Sequence, residues 1–99
     1  MINYNGINDL KKEEISKIKE ISEHELTKLE HCGKISEARL TLKVHPLEKK
    51  AKQYTISLNA RCKEVFFESS ASDWELSTAI HASFQKMFNE IKKKLKLVG

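Results

Sequence analysis

The sequence predicts an α+β domain in the order (β)-α-β-β-β-α, an antiparallel sheet with two helices packed on one face. Three observations predict it. Apolar residues recur at helical spacing near both ends of the 99-residue chain, they alternate with polar residues through the middle, and the connections between the alternating runs are short.

The opening residues alternate Ile2 and Tyr4 with polar neighbours before Gly6, which suits a short edge strand. Asn8 or Asp9 then reads as the N-cap of a first helix over residues 10–31, with Glu13 and Glu14 in its opening turns. Leu10, Ile15, Ile18, Leu26 and Leu29, with Ile21 or Ser22 between them, fall on one face. Gly33 follows where a helix commonly stops in a left-handed cap.

The period then changes from helical to twofold. Ala38, Leu40, Leu42 and Val44 face inward and Arg39, Thr41, Lys43 and His45 outward, until Pro46, which cannot donate to a strand ladder. Residues 47–52 form a charged hairpin loop. Tyr54, Ile56, Leu58, Ala60 and Cys62 repeat the inward pattern, with Thr55, Ser57, Asn59, Arg61 and Lys63 outward. A third strand over residues 64–70 breaks the alternation at Phe66 and Phe67; either Val65 and Phe67 face the core, or Phe66 does after a bulge. The last helix, over residues 73–97, is capped by Ser72 or Asp73 and aligns Leu76, Ile80, Phe84, Met87, Phe88, Ile91 and Leu95 on one stripe. Trp74 at its start reads as a lid over the corner between helix and sheet, ahead of the alternative of a stacking platform for a base.

Residues 1–99 make one domain, long enough to bury a modest core. No apolar run approaches bilayer length and the N-terminus has no apolar signal segment, so the expected location is the cytoplasm, without a membrane partner. Cys32 and Cys62 fit no disulfide framework; Cys62 is expected buried and Cys32 half-exposed, both as thiols. The four histidines have no tight metal-ligand spacing; His24, His31 and Cys32 lie near one another but lack a closing ligand. Three separated glycines make no phosphate loop. Neither catalysis nor a cofactor, metal or small-molecule substrate is expected, and the chain is expected to be a monomer.

The charge is more informative. The net charge is +4, unevenly spread. Residues 9–32 hold five lysines against seven acids, residues 34–67 eight basic residues against three acids, and residues 86–99 five lysines against Glu90 alone. A basic middle and a basic tail favour a polyanion as partner. Lys86, Lys93 and Lys94 lie off the apolar stripe with Lys92 and Lys96 beside them, and Lys28 and Lys34 stand at the end of the first helix. With both helices on one face of the sheet, these ends combine into one patch. The other face would carry Arg39, Lys43, His45, Arg61 and Lys63. Lysine-rich surfaces of this kind read backbone shape and charge rather than base sequence.

The closing segment FFESSASDWELSTAIHASFQKMFNEIKKKLK, with Ala79-Ile80 and Lys86-Met87, and the helix end Thr27-Lys28-Leu29-Glu30 followed by ARLTLKVH carry a resemblance. The chain resembles the ribosome hibernation-promoting factor family, also called ribosome-associated inhibitors or ribosome subunit interface proteins, over nearly its whole length after Ile7. The resemblance implies a strand–helix–three strands–helix fold and a non-enzymatic translation inhibitor. Such a factor binds the small ribosomal subunit and its rRNA in the channel used by messenger and transfer RNA, and stores inactive ribosomes. It carries over Lys28, Lys86 and Lys93 as RNA-binding residues. Arg39, Lys43, Arg61, Lys63, Lys92, Lys94 and Lys96 are added on charge and position alone.

Three features depart from the family pattern. The opening strand is reduced to INYNG, Asn89-Glu90 stands where many members have Arg-Gln, and the chain is expected to be a short form, without the long C-terminal extension of other members. Two other readings compete. Without its first strand, the order is also that of a double-stranded-RNA-binding domain, but that module places its basic cluster at the start of the last helix, where this chain has Asp73-Trp74-Glu75. A protein-interaction module using the sheet edge or the open sheet face is the alternative from a different class.

Overall fold

The structure, a computed structural model, describes residues 2–8, 10–47 and 52–95. Its elements are β1 (Asn3–Asn5), α1 (Lys12–Leu29), β2 (Ile35–Pro46), β3 (Lys52–Cys62), β4 (Val65–Asp73) and α2 (Leu76–Leu95). The strands form one sheet in the order β1-β2-β3-β4. β2, β3 and β4 make the expected antiparallel meander, whereas β1 pairs parallel with β2 through Asn3, Tyr4 and Asn5 against Arg39, Leu40 and Thr41. The sheet is therefore mixed rather than antiparallel throughout. β1 reaches β2 through a helical crossover, which returns the chain in its original direction, as a hairpin cannot. This first strand also separates the fold from the double-stranded-RNA-binding order. Residues 48–51 of the expected charged loop lie outside the described residues.

β1 ends at Gly6, whose φ of +79° suits glycine. A side-chain carbon there would collide with the Leu42 carbonyl oxygen, so the missing side chain is what lets the chain turn against β2. α1 starts later than expected. Leu10 N–H donates to the Ile7 carbonyl in a turn, and Lys11 is the N-cap, its N–H donating to Glu14 Oε1 at 3.2 Å. Asn8 thus lies ahead of the helix, and Asp9 falls outside the described residues. α1 also stops earlier, at Leu29. Gly33 has φ +156°, far from the roughly +57° of a left-handed helical cap. It is held instead by close approach, because a Cβ there would stand 3.0 Å from Cys62 Sγ.

Ile18, Ser22, Leu26 and Leu29 of α1 are buried, with Ile21 at the margin, so Ser22 takes the central position of the stripe. Ala79, Ile80, Phe84, Met87 and Ile91 of α2 join the same core. Leu40, Leu42, Ile56, Leu58, Cys62 and Phe67 meet them from the sheet, which puts both helices on one face. Each large side chain buried here contributes on the order of 2 kcal/mol. A bulge at the start of β2, where Ile35 pairs with Cys62 and Glu37 with Arg61, leaves Ser36 as the extra residue and lets Ile35 turn inward. Cys62 is buried and Cys32 half-exposed, as expected, and burial pushes the Cys62 thiol pKa up.

β4 runs past the expected residue 70 to Asp73. Val65 and Phe67 turn toward the core, and Phe66 is 65% exposed on the opposite face. The β3–β4 connection is a two-residue turn in which Lys63 and Glu64 have φ +51° and +64°. Positive φ at both central residues is what the right-handed twist of a hairpin demands, yet neither residue is glycine or asparagine. At the start of α2 the Glu75 carbonyl accepts the Ala79 N–H, and Asp73 Oδ1 accepts the Glu75 N–H at 3.0 Å. Glu75 is thus the N-cap, and Asp73 braces it in place of the expected cap at Ser72 or Asp73. Trp74 forms no lid; it is 59% exposed in the β4–α2 connection.

β2 and β4 run the same way, and each helix packs back along the sheet against that direction. α1 and α2 are consequently parallel to each other, with their C-terminal ends beside the start of β2 and the Lys63–Glu64 turn.

Candidate nucleic-acid interface

The parallel helices bring the basic residues of two distant stretches to one end of the molecule. Lys28 is exposed at the end of α1 and borders a groove of about 460 Å³ between the helices, with Leu29, Phe84, Gln85 and Phe88. His81 Nδ1 and Glu25 Oε1 close the groove towards the helix N-termini, 2.5 Å apart. One turn past Phe88, Lys92 lays its ammonium 4.9 Å from that ring's centre, within cation–π range. Lys93 and Lys94 are exposed in the last turn of α2. Lys86 takes the other flank of the helix, where its Nζ donates to the Ser70 carbonyl of β4 at 2.9 Å. Lys28 and Lys92 thus share the groove flank, and Lys86 faces the outer strand. Lys96 lies outside the described residues. Glu90 is exposed among these lysines, so one carboxylate sits inside the basic field.

The sheet face away from the helices places the remaining candidates. Arg39 and Lys43 are exposed on β2, and Arg61 is half-buried on β3. Directly opposed residues share a face, so the pairing gives rows across the sheet. One row runs Glu37, Arg61, Phe66, and the next Asn3, Arg39, Asn59, Glu68. Arg61 stacks its guanidinium 4.9 Å from the centre of the Phe66 ring. Lys43 lies two rows further on, beside Thr55 and Ser72, whose hydroxyls are 2.7 Å apart. Lys63, expected on this face, is not on it. It occupies the β3–β4 turn, at the same end of the sheet as the helix C-termini.

The structure therefore sorts the sequence-read cations into two surfaces. Lys92, Lys93 and Lys94, with Lys63, lie toward the C-terminal end of α2, Lys28 stands at the end of α1 level with Gln85 and Phe88, and Arg39, Lys43 and Arg61 lie on the open sheet face. Sequence reasoning left open which of Phe66 and Phe67 faces outward, and the structure places Phe66 on the open face. The signal for it was the Phe66-Phe67 pair, in which strict alternation forces one ring outward. Sequence reasoning missed Glu37 and Glu68, whose place beside the arginines follows from register and not from their local sequence.

No family model matches the chain, and no curated protein matches it. Solved structures do resemble it. The N-terminal domain of Protein Y from Thermus thermophilus superposes with a TM-score of 0.69 at 14% identity, covering 94% of each chain. A ribosomal subunit interface protein from Coxiella burnetii superposes with a TM-score of 0.71 at 13% identity, covering 97% of this chain and 98% of that one. At such identities the likeness establishes the fold, over essentially the full length of all three chains.

Proposed function

We propose that the chain is a non-enzymatic, cytoplasmic ribosome-associated factor, a single domain that binds the small ribosomal subunit and inhibits translation. The observation that carries this reading is the row of lysines along the C-terminal halves of the two parallel helices, on a fold shared end to end with a protein described as a ribosomal subunit interface protein. Lysines on two rigid parallel helices present a fixed array of positive charge, which suits the phosphates of folded rRNA. Lys28, Lys86, Lys92, Lys93, Lys94 and Lys96 make the main contacts. Occupying the channel for messenger and transfer RNA excludes those ligands sterically, without chemistry.

Sedimentation of the purified protein with separated ribosomal subunits at low and moderate salt tests the proposal. Co-migration with the small subunit that weakens steeply with salt is the expected result, since each phosphate contact releases counterions. The triple reversal Lys86→Glu, Lys93→Glu, Lys94→Glu is expected to abolish it while the circular dichroism spectrum is retained. Complexes that survive high salt would favour the protein-interaction reading instead.

A further inference from the structure

We propose that the open sheet face is a second RNA-binding site, one that takes a single unpaired base of single-stranded RNA against Phe66 and Arg61. This deepens the ribosome reading and rests on it for the class of partner, but it uses the face opposite the helices. Phe66 is the one large apolar side chain that the described residues expose on that face, in rows otherwise made of polar and charged residues. Core packing gives no reason for a ring there, because its neighbour Phe67 already fills the inward position.

The surroundings suit a base. Phe66 and Arg61 border a shallow hollow of about 350 Å³, with Arg39, Asn59, Glu37 and Glu68. The Arg61 guanidinium lies over one face of the Phe66 ring, so a base would stack on the other face of the ring and extend the guanidinium–ring stack. Arg39 and Lys43 follow along β2 on the same face, four residues and so about 13 Å apart, as a short track for the phosphates on one side of the stacked base. The carboxylates of Glu37 and Glu68 would repel a phosphate, which keeps the backbone out of the hollow itself. They can accept hydrogen bonds from an exocyclic amino group, as acidic side chains do from cytosine N4. The site should therefore prefer an amino-bearing base over uracil.

The test is fluorescence anisotropy with three labelled RNA hexamers: oligocytidine, oligouridine and an abasic ribose-phosphate chain. The wild-type protein is expected to bind oligocytidine roughly tenfold or more tightly than the abasic chain, the difference being the stacked base. Phe66→Ala should reduce oligocytidine binding to the abasic level, and Phe66→Trp should keep it. Because Phe66 is exposed, both variants should melt like wild type. Lys93→Glu should leave the ratio between hexamers unchanged. Equal binding of oligocytidine and the abasic chain, or an unaffected Phe66→Ala, would overturn the stacking site; equal binding of oligocytidine and oligouridine would overturn the role of the two carboxylates. Co-sedimentation with the small subunit without hexamer discrimination would overturn this site and leave the ribosome reading standing, and discrimination without co-sedimentation would do the reverse.

Discussion

Lys86 and Ser70 tie the last helix to the outer strand of the sheet: the lysine Nζ donates to the Ser70 carbonyl at 2.9 Å. β4 closes the sheet on that side, and an edge strand with unpaired carbonyls invites pairing with another chain. Lys86 therefore has a structural partner, which Lys93 in the last turn of the helix does not have among the described residues. The two lysines should separate experimentally. Lys86→Glu is expected to weaken the proposed small-subunit binding and to cost up to about 1 kcal/mol of stability through the lost edge bond. Lys93→Glu should weaken binding with an unchanged urea midpoint. Parallel sedimentation and urea titration of the two variants check this.

The Lys63–Glu64 turn offers a gain in stability. Both residues sit at positive φ, where a side chain costs about 1 kcal/mol that glycine does not incur. Glu64→Gly should raise the melting temperature by several degrees. Lys63 is left in place, because its side chain packs over Gly33. A melting temperature at or below wild type would contradict the turn geometry.

Gly6 is the reverse case. Gly6→Ala places a methyl group against the Leu42 carbonyl at φ +79°, and a cost of about 2 kcal/mol or more is expected. The damage should be local to β1. Hydrogen exchange is expected to accelerate at the β1–β2 pairing and to stay slow in the β3–β4 ladder.

Ser22 occupies the centre of the α1 stripe with its hydroxyl fully buried and without a hydrogen-bond partner. Alanine in its place removes a buried hydroxyl that makes no close hydrogen bond, raises helix propensity, and leaves the neighbouring Tyr4 hydroxyl as it was, without a close bond. Ser22→Ala is expected to stabilise the protein by about 1 kcal/mol, read from the urea midpoint.

Tyr4 makes a prediction about pH. Its hydroxyl is buried beside Ser22 and Glu23, and that burial, helped by the negative charge of Glu23, pushes its pKa from the usual 10 up to about 12. The folded state thus keeps a proton that the unfolded chain releases. The stabilisation is complete below pH 10 and is lost as the pH rises from about 10 to about 12. Lysines titrate in the same range, so the measurement is the difference between wild type and Tyr4→Phe, whose stability should fall less steeply across that window.

Much of this fold was legible because burial imposes a period. The alternation Ala38, Leu40, Leu42 and Ile56, Leu58, Ala60 located two strands and their faces, and Ile80, Phe84, Met87, Ile91 located the inner side of α2. The misreadings fell where long-range geometry outweighs local preference. Asn8 is a good cap residue in isolation, but the turn from Ile7 to Leu10 consumes it before the helix starts. Lys63 and Glu64 carry no turn signature, and only the pairing of Cys62 with Val65 forces them into one. The parallel partner of β1 was invisible because three residues carry too little pattern to specify direction. The site was half legible: which residues are basic is written in the chain, while the split between helix end and sheet face, and the acids interleaved among the arginines, depend on register.

The parallel course of the two helices has an electrostatic corollary. Each helix carries the equivalent of roughly half a negative charge at its C-terminus, and two parallel helices place both at the same end. About half a positive charge at Lys28, where α1 ends, and half among Lys92, Lys93 and Lys94, where α2 ends, is offset by the backbone itself. The field available to attract a polyanion is accordingly weaker than a count of Lys28, Lys92, Lys93 and Lys94 suggests, and Glu90 subtracts from it again.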